Sequence, residues 1–133
     1  MTALRVWVIA AWIALPTVMY GGYSLLRILN RENHLSPLQV ASFRAGHAHA
    51  GVLILMSLLY YIFIDRTGLP SALRHAACAV LVVGILAQSG GFFVHMAVGR
   101  PAHPSIGSKM TALGGLLLIL SVATLVWGLI VAP

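Results

Sequence analysis

The chain has 133 residues, 60% hydrophobic and only 8% charged, with a mean hydropathy of +0.98. Soluble domains carry about 25% charged residues, so a disordered tail, a coiled coil and an ordinary cytosolic enzyme are excluded. The net charge of +6, from eight basic and two acidic residues, is scattered between apolar runs. It forms no basic stripe interleaved with aromatics, so it reads as membrane topology and nucleic acid is set aside as a partner. The one cysteine, Cys78, excludes an internal disulfide, a CxxC redox pair, a thiolate zinc site and a CxxCH haem attachment.

A bilayer span takes about 20 apolar residues, and four stretches qualify. They predict an all-α integral membrane protein, a four-transmembrane-helix up-down-up-down bundle forming one domain over residues 1–133, with helices about 6–29, 37–64, 71–99 and 106–132. The first stretch has one basic residue ahead of it but no small-x-small cleavage site, so it is expected to be a retained helix. Its polar stripe is Pro16, Tyr20, Tyr23, Arg27. Ser36-Pro37 marks the start of the second helix, as N-cap and first helical residue. That helix carries Val40, Arg44, His47, Gly51 on one face. The third carries Gly84, Gln88, Gly91, His95, and the fourth offers Gly107, Thr111, Gly114. Tryptophans 7, 12 and 127 are expected as interface anchors, and Met56, Met96 and Met110 as core filling.

Basic residues on the side of the first and third loops (Arg27, Arg31, Arg44, Arg100, Lys109) outnumber those on the other side (Arg5, Arg66, Arg74). The count places the termini outside, as in a bacterial inner membrane.

Folding the chain up and down gathers five of the six histidines near one membrane surface: His47 and His49 early in the second helix, His95 late in the third, His34 and His103 in the loops. His75 stands alone at the opposite end, where a head-group contact is expected. Intramembrane ionisable residues are costly and point to function. The glycines at the histidine level admit two readings, close helix packing or room for a flat ligand. His47 and His49 are two residues apart, about 200° around a helix, so they face opposite ways.

The heptapeptide Ala45-Gly46-His47-Ala48-His49-Ala50-Gly51 resembles the His-x-His helix of haem–copper oxidase catalytic subunits and their small membrane relatives. In that family the two histidines ligate two different haems. The chain is too short for a twelve-helix subunit and lacks the adjacent His-His copper ligands. The resemblance implies haem or copper chemistry.

Three functional readings follow. In the first, a membrane redox or electron-transfer protein, of the membrane oxidoreductase class, binds a haem b between the second and third helices. His47 or His49 and His95 are the axial ligands, Arg44 and Arg27 meet the propionates, and Tyr20, Tyr23 and Gln88 supply hydrogen bonds. A haem-free variant holds copper, zinc or iron with His47 or His49, His95 and His103 or His34. In the second, a membrane-embedded isomerase, cyclase or hydrolase uses a histidine such as His49 as acid or base on a lipophilic substrate or quinone, Arg44 holding an anionic group and Tyr20 and Tyr23, the other catalytic candidates, shaping the pocket. In the third, the chain is a passive accessory subunit of a homo-oligomer or larger membrane complex. A retinal lysine, a buried acid for proton antiport and a thiol pair are all missing from the sequence.

Overall fold

A computed structural model describes residues 4–30 and 35–132. It contains four α-helices: α1 (Arg5–Asn30), α2 (Pro37–Ile64), α3 (Ser71–Val98) and α4 (Ile106–Ile130). Each is long and apolar enough to cross a membrane, as expected of a multi-pass integral membrane protein.

The helix starts follow from local chemistry. Ser36 caps α2: its hydroxyl accepts the Gln39 amide at 3.3 Å, the Gln39 side chain accepts the Ser36 amide at 2.9 Å, and Pro37 opens the helix. Two of the amides left unpaired at every helix start are satisfied this way. Ser105 and Ser108 cap α4 in the same reciprocal manner. The turn between α2 and α3 is closed by an Asp65–Arg74 ion pair of 3.0 Å and by the Thr67 hydroxyl donating to the Ile64 carbonyl.

The helices do not form a closed ring. The tightest interface is α3 on α4, followed by α2 on α3, and α4 touches α2 only lightly. Helix α1 packs chiefly on α2, and it reaches α3 through Trp7, whose indole N–H donates to His75 Nδ1 at 3.0 Å. His75, expected to meet head groups, is therefore tied inward to α1. Helices α1 and α4 lie on opposite sides of the α2–α3 pair and share no substantial interface.

The bundle has two storeys. Beside the α2–α3 turn, large side chains fill the interior: Tyr60, Tyr61, Ile64, Leu81, Ile85 and Leu118. This half also holds polar groups. The Tyr60 hydroxyl donates to the Ser121 carbonyl and the Ser121 hydroxyl to the Ala77 carbonyl, each at 3.0 Å. These bonds link α2 to α4 and α4 to α3 where water cannot compete.

Toward the other surface, glycine replaces bulk. A Cβ added at Gly91 would overlap Thr111, one at Gly107 the His95 backbone, and one at Gly114 the Gln88 backbone. Helices α3 and α4 are thus in backbone contact, the arrangement that small residues permit in membranes.

Candidate functional site

The histidines share a membrane level but not a centre. His47 turns toward α1 and lies over Gly21 and Gly22; a Cβ at either would stand 3.3 Å from His47 Nδ1 or 3.1 Å from Nε2. Its ring makes no hydrogen bond among the described residues. Neighbouring Gly46 seats α2 on α3, its Cβ position 3.0 Å from Phe92 Cβ and 3.1 Å from the Ser89 carbonyl.

His49 faces the other way, as its spacing from His47 required. Its ring packs on Phe92 with centroids 4.9 Å apart. Nδ1 lies 2.8 Å from the Ala45 carbonyl, one turn earlier. A carbonyl can only accept, so Nδ1 carries the proton and the neutral ring leaves a lone pair on Nε2. An imidazole held by one nitrogen and free at the other is equipped to take a proton or to ligate a metal.

His95 belongs to the third interface. Its Nδ1 is 2.7 Å from the hydroxyl of Ser105, the cap of α4. His103 is exposed in the α3–α4 loop, where Ala102 adopts a left-handed φ of 60° and Arg100 bridges His103. His34 and Arg31 lie outside the described residues. Among the described residues no group of three or more His, Cys, Asp or Glu is placed to hold a metal ion.

The remaining candidates divide. Tyr20 and Tyr23 are 67% and 60% exposed, and Arg27 and Arg44 are exposed as well. The inward face of α1 is instead Ala11, Ala14, Val18, Gly21 and Leu25, so the tyrosine–arginine stripe lies on the exposed side of the helix. Between α2 and α3 the contact at Gly46 brings the two helices close together at the level of these histidines.

Gln88 stands apart from these, half-buried on α3. It lies one turn from Phe92 on α3, its carbonyl accepts the Thr111 hydroxyl at 3.3 Å, and Gly115 of α4 stands beside its side chain. Its Oε1 is buried with no hydrogen-bond partner among the described residues. It also lines a groove of about 760 Å³ between α2 and α4, floored by α3. The sequence marked Gln88 as polar at the histidine level, but nothing in it signalled the groove. That requires knowing that α1 packs on the far side of α2.

The chain matches no protein-family model, no curated protein and no solved structure.

Proposed function

We propose that this is a membrane-embedded protein that performs acid–base chemistry on a lipophilic molecule, with His49 as the proton acceptor. The observation that carries the reading is the Nδ1–H···O=C bond from His49 to Ala45. It fixes the tautomer, leaves Nε2 basic, and continues to hold the ring once Nε2 is protonated. The imidazolium formed by taking a substrate proton is then steadied by the carbonyl dipole, while the substrate retains the electron pair. Helix packing supplies the rest: Phe92 holds the ring face. On the basic-residue count, the histidine level faces the cytoplasm of a bacterial inner membrane, with the termini outside.

The test is comparative lipid analysis of membranes carrying the protein or its His49→Gln variant. A lipophilic species that accumulates only in the variant, with His47→Gln behaving as wild type, is the expected result. Identical lipid profiles would overturn the reading.

A second reading is favoured by the same free nitrogen. His49 Nε2 could ligate a haem iron, copper, zinc or iron ion in a redox protein, the other ligands coming from a second copy or another chain. Purified protein would then show a Soret band or a stoichiometric metal content that His49→Ala abolishes.

A further inference from the structure

Ser105 has a partner that capping a helix does not require. Its hydroxyl accepts the Ser108 amide at 3.2 Å and lies 2.7 Å from His95 Nδ1. A hydroxyl has one proton to donate beside its two lone pairs. Among the described residues His95 Nδ1 is the acceptor within reach of that proton. The bond therefore runs from Ser105 Oγ–H to Nδ1, and the neutral ring carries its own proton on Nε2. Two glycines clear the way for this approach: a Cβ at Gly99 would overlap the His95 ring, and one at Gly107 the His95 backbone. Ser105 also lies on the wall of a cavity of about 370 Å³, with Val98, Arg100, His103, Pro104 and Ile106. That volume falls within the roughly 300–1,000 Å³ of small-molecule sites. The imidazole, absent from the cavity wall, backs the serine.

We infer that Ser105 and His95 are the nucleophile and general base of an esterase site that cleaves acyl esters of anionic amphiphiles at the membrane surface. A hydroxyl bonded to a neutral imidazole is the arrangement that turns a weak nucleophile into a competent one. Ser105 Oγ attacks the ester carbonyl carbon while its proton passes to His95 Nδ1. The tetrahedral adduct collapses by breaking the bond to the alcohol oxygen, and the alcohol leaves with the proton from Nδ1. Water then adds to the acyl-serine by the same route, releasing the fatty acid and restoring Ser105. The first amides of α4 have no acceptor within the helix and follow the serine directly, so they can meet the charge developing on the carbonyl oxygen. The substrate class comes from the cavity wall. Arg100 and His103 stand on it, and the one acidic residue among those described, Asp65, belongs to the α2–α3 turn at the opposite end. An anionic head group is therefore drawn to this end. Val98 and Ile106 are exposed on the same wall, where an acyl chain runs past them into the bilayer. This site is independent of the reading of His49, which lies on α2 and packs on Phe92.

The experiment treats the full chain in lipid nanodiscs with a long-chain fluorophosphonate, whose phosphorus an activated serine takes with loss of fluoride. The adduct is mapped by mass spectrometry. The wild-type chain should carry it at Ser105. Ser105→Asn, which keeps a good helix cap, should carry none. His95→Asn leaves an amide oxygen to accept the Ser105 proton but removes the base, so labelling should slow about 100-fold, the lower end for general base catalysis. The wild-type chain should also hydrolyse a fluorogenic phosphatidylglycerol up to about fivefold faster than the matching phosphatidylcholine, the worth of one exposed ion pair. Arg100→Gln should level the two rates. A wild-type chain unlabelled at Ser105, or His95→Asn labelled at the wild-type rate, would overturn the inference. Equal hydrolysis of the two lipids by the wild-type chain would overturn the head-group assignment.

Discussion

The imidazole of His95 and the hydroxyl of Ser105 lie 2.7 Å apart, which ties the last turn of α3 to the cap of α4 across the intervening loop. One serine therefore serves two purposes: it satisfies the Ser108 amide at the start of α4 and fixes the ring of a membrane-level histidine. Ser105→Ala should lose both. A cap of this kind contributes about 1 kcal/mol and the bond to His95 roughly as much again. Thermal unfolding in detergent should show a loss of about 2 kcal/mol, whereas Ser105→Thr, which keeps the hydroxyl, should retain most of it.

The glycines of the histidine half fall into two kinds that one pair of variants separates. Gly114 sits against the Gln88 backbone, but an added Cβ at Gly90 meets nothing within 4 Å. Gly114→Ala must push α3 and α4 apart and should cost more than about 2 kcal/mol, the range of overpacked positions. Gly90→Ala should be neutral or stabilising by up to about 1 kcal/mol, the helix propensity gained. Equal effects would show that the close approach at Gly114 does not hold the bundle.

Residue Ala102 occupies the left-handed region at a φ of 60°, where a Cβ crowds the following carbonyl. Ala102→Gly relieves that contact and should stabilise the α3–α4 loop by about 0.5–1 kcal/mol after the entropic penalty of glycine. Comparison of unfolding midpoints for the two proteins checks it.

Trp7 and His75 make a polar link from α1 to α3. Trp7→Phe keeps the ring and removes the donor. Amide exchange along the first two turns of α1 should accelerate several-fold, while α3 and α4 stay protected; uniform acceleration would mean that α1 is integral to the whole bundle.

How much of this could be read from the sequence depended on the kind of signal. The four spans and the Ser36-Pro37 start are local statements, fixed by hydropathy and cap chemistry, and the structure has them. The opposite directions of His47 and His49 follow from helical spacing alone. The inward face of α1 was another matter. Polarity suggested Tyr20, Tyr23 and Arg27, yet those residues are exposed and the face turned inward is built of small residues. In lipid a helix gains little by hiding its larger apolar side chains, and small residues decide how closely backbones approach. Glycine at the histidine level was ambiguous between packing and a pocket. Gly46 and Gly114 resolve as packing, while Gly115 borders a groove that exists only because α1 sits elsewhere.

The placement of α1 and α4 on opposite sides of α2–α3 also governs kinetics. A closed four-helix ring would have to breathe before anything lipophilic could enter or leave. Here the trough opens sideways into the surroundings, with Ile119, Trp127 and Ile130 exposed along its rim. A lipophilic molecule docking there would exchange by lateral diffusion rather than through a gate.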